Sequence, residues 1–203
     1  MGTQVLSIDG HAPELDALCR AAAVLEAGGL VAFPTETFYG LGASALDAAA
    51  VRRVFAVKER PASQPLLVLV DSEAAAERLA EIPSAARALI RRYWPGPLTL
   101  VLRARPEVPD EVTAGTGTVG VRVPGHAVAR GLARALGGPV TAPSANPTGA
   151  PPPTTAAEVL AYFGGRLALV LDAGRTAGGL PSTVLDLTVE PPRVLREGAV
   201  RIA

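Results

Sequence analysis

At 203 residues the chain has room for one substantial domain and little for a second independent core. Apolar residues make up 49% and charged residues 19%, a globular balance, and with only 4% aromatics the core must be filled by alanine, leucine and valine. Lysine plus arginine equals aspartate plus glutamate at 19 each, so net charge gives no support to a nucleic-acid or membrane partner and any basic site must be local.

The opening MGTQVLSIDG has no basic stretch leading into an apolar one, and no segment offers about 20 unbroken apolar residues. Neither secretion nor a membrane span is expected, and a cytoplasmic location is. Residues 13 to 27 carry Leu15, Leu18, Ala22 and Leu25 at helical spacing, with Gly28 and Gly29 as a stop; Cys19 falls beside Leu15 and Leu18 and reads as structural on the core face. A short buried strand, 30 to 33, then empties through Pro34 into the loop PTETFYGLGASAL.

Asp47 can cap a helix to about Lys58, and Pro61 and Pro65 enforce a turn before a strand at 66 to 70. Ser72 opens a helix to about Glu81 and Ser84 another to about Tyr93, and Pro95-Gly96-Pro97 separates these from a strand at 98 to 104. Residues 105 to 118 read as polar loop, followed by a strand at 119 to 123, a helix at 127 to 136 and a strand at 139 to 142. After the proline-rich loop PSANPTGAPPPT come a helix at 155 to 162 and strands at 168 to 172, 182 to 187 and 193 to 196. The fold class is α/β, a single domain over residues 1 to 203 with one twisted mixed sheet flanked by helices.

A few residues break the apolar pattern. Lys58 lies four residues after Val54 on the buried stripe of its helix, so its stem leaves from the inside. With Arg60 it reads either as a complement to the negative end of the helix dipole, slightly favoured on these residues alone, or as a clamp for a polyphosphate or carboxylate; both can hold together. Along 119 to 123 the valines share one face and Gly120 and Arg122 the other, where Arg122 is equally a ligand contact or a solvated rim arginine. Ser144-Ala145-Asn146 follows a strand end, where α/β sheets bind ligands, although a locally capped turn is the commoner use of such residues.

Several familiar sites are excluded. Gly115 to Gly120 fits G-x-G-x-x-G but leads into a strand, Gly40 to Ala45 sits too far from its strand for that turn, and no Walker loop occurs. His11 and His126 are the only histidines and have no ligand spacing, so a protein-built metal site is not expected. With no nucleophile motif either, catalysis by positioning and charge stabilisation fits better than covalent chemistry.

Together FPTETFYGLGASA, KERPASQPLLVLV, YWPGPLTLVL, VGVRVPGH, APSANPTGAPPPT, PSTVLDL and VLREGAV closely resemble the YrdC-like L-threonylcarbamoyladenylate synthase family, from about residue 24 to 200. The resemblance implies a concave, positively lined ligand surface and formation of threonylcarbamoyl-AMP and pyrophosphate from L-threonine, bicarbonate and ATP. It implies that Lys58 and Arg60 hold the ATP phosphates as the catalytic pair, and that Ser144, Asn146 and Arg196 contact the nucleotide. Thr118 and Ala142 line the ATP site, as does Gln64, which stands where asparagine is frequent. By the same resemblance Thr37 and Ser182 are expected to hold threonine with Thr35 as neighbour, and Arg122 to pair with its carboxylate. Leu69 replaces a histidine frequent in longer members, Pro152 replaces a usual serine, and the chain matches the short, single-domain form.

Magnesium is expected to enter with ATP, without protein ligands and without an organic prosthetic group. The product is expected to pass to tRNA-modifying proteins, and the loop 143 to 154 is a candidate lid. Two rival readings are a non-catalytic RNA-binding module, with weak RNA binding by the basic concavity, and the carbamoyl-transfer domain of hydrogenase maturation proteins. Zero net charge and few aromatics weigh against the first. One cysteine weighs against the second, whose members carry cysteine zinc modules.

Overall fold

The structure, a computed structural model, describes residues 2–202. In chain order its elements are β1 (Gln4–Ser7), α1 (Leu15–Glu26), β2 (Val31–Pro34), β3 (Tyr39–Gly42), α2 (Ala48–Lys58), β4 (Leu67–Leu69), α3 (Glu73–Glu77), α4 (Ser84–Tyr93) and β5 (Leu98–Arg103). There follow α5 (Asp110–Thr113), β6 (Thr118–Arg122), α6 (Ala127–Leu136), β7 (Val140–Thr141), α7 (Ala156–Phe163), β8 (Leu169–Asp172), β9 (Thr183–Asp186) and β10 (Arg193–Arg196). Asp47 and Ser72 cap α2 and α3 as their positions suggest, the first accepting from the N–H groups of Ala49 (2.9 Å) and Ala50 (3.1 Å), the second from Ala75 (3.2 Å).

The strands form two mixed sheets where the sequence pattern suggests one. The first runs β1-β8-β2-β3 and the second β10-β9-β5-β6-β4-β7. They meet along β3 and β7 through isolated bridges, Gly40 to Ser144 and Ser44 to Val140, so the backbone ladder is interrupted there but the surface is nearly continuous. Gly42 makes that seam possible: a Cβ there would stand 2.8 Å from Phe33 Cε1 and 2.9 Å from Val140 Cγ1. A glycine-rich strand gives no alternating apolar pattern, which is why Tyr39–Gly42 reads as loop although it pairs with β2 in register from Val31/Gly42 to Pro34/Tyr39.

Two helical stretches also differ from their sequence pattern. The helix opened by Ser72 stops at Glu77 instead of about 81, because the chain after it pairs with the end of β5: Glu81 N–H donates to Arg103 O (3.0 Å) and Arg105 N–H to Leu79 O (2.8 Å). In α1 the buried stripe is Ala17, Leu18, Ala21, Ala22 and Leu25, while Leu15 is 72% exposed and Cys19 is exposed. Cys19 is therefore a surface thiol and not a core residue. The stripe centred on Leu18 and Leu25 packs against Val128, Ala129 and Leu132 of α6, and position 19 turns away from that contact.

The larger apolar cluster draws Leu98, Leu100, Val119 and Val121 from the second sheet and Ala32, Leu41 and Val170 from the first, with Phe163 and many alanines, and holds the valine face of β6. Its alternate face, Gly120 and Arg122, is thereby turned toward the open side of the sheet. Among the described residues no helix is long and apolar enough to cross a membrane. Gly42→Ala is expected to lower stability by about 1–3 kcal/mol through overpacking at the seam, seen as a lower urea midpoint at unchanged slope. A wild-type midpoint would mean that the sheets can separate there without loss.

Candidate active site

A cavity of about 770 Å³ opens where the two sheets meet. Its walls come from the β2–β3 turn with Thr35 and Thr37, the end of α2 with Lys58 and Arg60, β6 with Thr118 and Arg122, the segment after β7 with Ala142, Ser144 and Asn146, and the β9–β10 region with Ser182 and Arg196. Every residue named from the sequence as a ligand contact lines it, with one exception. Gln64 is exposed and does not line the cavity; its backbone oxygen accepts from Arg60 Nε (3.5 Å). Leu69 and Pro152 both line the wall.

The cations are delivered by local backbone structure. Helix α2 ends in a left-handed residue, Glu59 (φ 52°), and the N–H of Arg60 returns to Phe55 O (3.0 Å), so Lys58 and Arg60 both leave the final turn toward the cavity. Lys58 is only 3% exposed and has no carboxylate partner among the described residues: its Nζ donates to the carbonyls of Ser144 and Asn146. Burial, and then the neighbouring charge of Arg60, pull its pKa down to about 8. Arg60 donates through Nη2 to Pro65 O (3.0 Å), and burial lowers its pKa also.

Arg122 is 4% exposed, with Nε donating to Gly96 O (3.0 Å) and Nη2 2.6 Å from Glu36 Oε1. That second contact is an ion pair whose alignment falls short of a hydrogen bond. Burial pushes the Glu36 carboxyl upward, but the Arg122 guanidinium and the Gly125 N–H together outweigh it and hold the pKa below the usual carboxylate range. Arg196 donates to Ser182 O from Nε (3.0 Å) and Nη2 (2.8 Å), and from Nη2 to Ser182 Oγ (2.9 Å), while Ser182 Oγ also meets Thr99 Oγ1 at 3.0 Å. Partial burial, then the charges of Arg122 and Arg60, pull the Arg196 pKa below its ordinary value.

Four cations, Lys58, Arg60, Arg122 and Arg196, thus share a cavity to which, among the described residues, only Asp186 contributes a carboxylate from the wall. Asp186 is itself occupied by Thr188, whose N–H (2.9 Å) and Oγ1 (2.6 Å) both donate to Oδ1. The surplus positive charge in a chain of zero net charge is an anion site. Polar acceptors complete it. Asn146 Nδ2 is fixed by the carbonyls of Pro147 (3.0 Å) and Ala150 (2.7 Å), which leaves its buried Oδ1 with no partner and able to take a hydrogen bond from a ligand hydroxyl or amine.

Sequence reasoning missed Glu36, Asp186 and Thr99. Glu36 stands between two threonines in a turn, and nothing local marks it, because its partner Arg122 is distant in the chain. Asp186 ends a strand and Thr99 follows the first residue of another, positions that look like ordinary sheet-end polarity. His126 caps α6, Nδ1 accepting from Val128 N–H (3.2 Å), which gives that histidine a structural role.

An anion cavity with both hydrogen-bond donors and acceptors, at the junction of two mixed sheets with flanking helices, marks an α/β protein suited to a small anionic ligand. The family Sua5/YciO/YrdC, described as telomere recombination, matches residues 23–198, and the chain belongs to it. The chain is similar to the threonylcarbamoyl-AMP synthase of Pyrococcus abyssi, 49% identical over 181 residues covering 89% of this chain and 53% of that protein. It is likewise similar to the threonylcarbamoyl-AMP synthase of Bacillus subtilis, 42% identical, covering 90% and 54%. It thus spans about half the length of these curated relatives. The crystal structure of P. abyssi Sua5 complexed with L-threonine superposes with a TM-score of 0.93 at 46% identity, covering 97% of this chain and 58% of that one.

The cationic form of Lys58 attracts an anion and the neutral form does not. Affinity for inorganic pyrophosphate, measured by calorimetry, is therefore expected to fall as pH rises from about 8, and Lys58→Met to bind weakly without that step. Wild-type affinity that is flat across this range would remove Lys58 from the ligand contacts.

Proposed function

We propose that this chain forms threonylcarbamoyl-AMP and pyrophosphate from L-threonine, bicarbonate and ATP, as an L-threonylcarbamoyladenylate synthase. The observation that carries the reading is the buried, carboxylate-free Lys58 beside Arg60 in a cavity that also holds Arg122, Thr37 and Ser182. This is a double requirement, for a polyphosphate and for a small polar acid. The names of the relatives and the threonine in the P. abyssi Sua5 structure support it.

In this reading the threonine amine adds to the carbon of bicarbonate and water leaves, giving a carbamate. A carbamate oxygen then attacks the α-phosphorus of ATP, the bond to the bridging oxygen breaks and pyrophosphate departs. Negative charge grows on the phosphate oxygens, and Lys58 and Arg60, already held on backbone carbonyls, meet it with little reorganisation. Magnesium enters with ATP on phosphate oxygens, and the protein cations act beside it. Ser144, Asn146, Thr118, Ala142 and Arg196 hold the nucleotide, Asn146 Oδ1 through a ligand donor; Thr35, Thr37 and Ser182 hold threonine, with Arg122 on its carboxylate. The adenylate is then handed to proteins that modify tRNA.

Pyrophosphate release that requires both threonine and bicarbonate, together with the adenylate mass, is the expected result with pure protein, ATP and magnesium. Lys58→Ala or Arg60→Ala should reduce it by at least about a hundredfold with the fold intact, and Arg122→Ala should chiefly raise KM for threonine. Salt-sensitive RNA binding without ATP, and no adenylate, would favour an RNA-binding module instead.

The loop 143 to 154 is proposed to close over the ligand, but only in part. Thr148 is tied to Lys58 O by its N–H (2.9 Å) and Oγ1 (3.0 Å), and Pro153 O accepts from Tyr39 N–H (2.9 Å), so motion concentrates at the exposed Gly149, Pro151 and Pro152 between these ties. Amide exchange at Gly149 and Ala150 is expected to slow with ATP, and equal rates with and without it would remove the closure.

A further inference from the structure

Glu36 occupies the turn between β2 and β3, flanked by Thr35 and Thr37, yet unlike them it does not line the cavity. Its Oε1 accepts from Gly125 N–H (2.9 Å) and lies 2.6 Å from Arg122 Nη2. Arg122 is at the same time fixed through Nε on Gly96 O (3.0 Å), so the guanidinium is gripped from two sides by groups outside the cavity. Nη2 is buried and turned to Glu36, whereas Nη1 makes no hydrogen bond among the described residues and keeps its donor capacity for a ligand. The carboxylate belongs to the first sheet's hairpin and the guanidinium to β6 of the second sheet, so the pair also spans the junction on which the cavity is built.

We propose that Glu36 is the positioning residue for Arg122: it sets the guanidinium so that its outer N–H groups meet the substrate carboxylate, and it ties the Thr35–Thr37 turn to β6. The proposal rests on the reading of Arg122 as the carboxylate partner given above. Gly125 belongs to the device, since a Cβ there would come within 3.3 Å of Glu36 Oε1.

The test uses the full chain. Glu36→Gln keeps the volume and an oxygen for the Gly125 N–H but removes the charge. It is expected to raise KM for threonine by about tenfold or more while KM for ATP stays within about twofold, since Lys58 and Arg60 are anchored on other segments. Gly125→Ala displaces the carboxylate without removing it, is expected to raise the same KM by about threefold, and decides the matter if Glu36→Gln does not fold. Threonine KM within about twofold of wild type in every variant that folds, or an equal rise in both KM values, overturns the proposal.

A second arm does not depend on turnover. The Arg122 Nε–H, identified by its loss in Arg122→Lys, is expected to be protected from exchange in the wild type and to lose protection in Glu36→Gln. Equal protection in the two overturns the positioning role, whereas a wild type inactive with threonine that still shows the difference overturns the proposed substrate and not the role of Glu36.

Discussion

A buried ammonium group without a carboxylate is costly unless something negative arrives, and the fold arranges for Lys58 to be just such a group. Its stem emerges on the core side of α2, its nitrogen is met, among the described residues, only by the carbonyls of Ser144 and Asn146, and its own carbonyl accepts from Thr148. The segment after β7 is thus wrapped around Lys58 at both ends of that residue. The left-handed Glu59 then turns Arg60 toward the same space. Helix end, loop and cation stand in one mutual arrangement, and the remaining walls of the cavity are built around it.

Electrostatics and architecture agree on where the ligand belongs. The charges of Arg60, Arg122 and Arg196 reach the same region from three different elements, and burial first, then these neighbouring charges, lowers the pKa of Lys58 and Arg196. Asp186 and Glu36 offset only part of this positive charge, and both are engaged by protein groups. A polyanion neutralises what the protein leaves unbalanced, so ligand binding also relieves strain of electrostatic origin.

Much of this was legible in the sequence because its signals are local. Helical spacing placed α1, α2, α4, α6 and α7, Asp47 and Ser72 announced their caps, and alternation along Val119 to Val123 put Arg122 on the open face. The i+4 relation to Val54 showed that Lys58 could reach inward. What escaped was non-local. β3 is a strand because of what Gly42 packs against, α3 is short because residues after it pair with β5, and Glu36 matters because of an arginine in another sheet. Gln64, which stands where the family often has asparagine, lies at the surface outside the wall. Cys19 failed for a simpler reason: Leu15, taken to share its stripe, is exposed, and the helix is rotated to present Leu18 and Leu25.

The wall residues run from Thr35 to Arg196, so the cavity has no precursor in any contiguous stretch of chain. Arg196 is placed by β10, which pairs only with β9, while β9 in turn needs β5 beside it. During synthesis from the N-terminus, Lys58 and Arg60 emerge long before the strands that complete their surroundings, and Arg196 comes last. A nascent chain therefore carries these cations in a hydrated, separated state, and they become a concentrated field only when the distant pairings close. Competence to hold an anion in this cavity is in this sense a late property of the chain, dependent on pairings far apart in sequence.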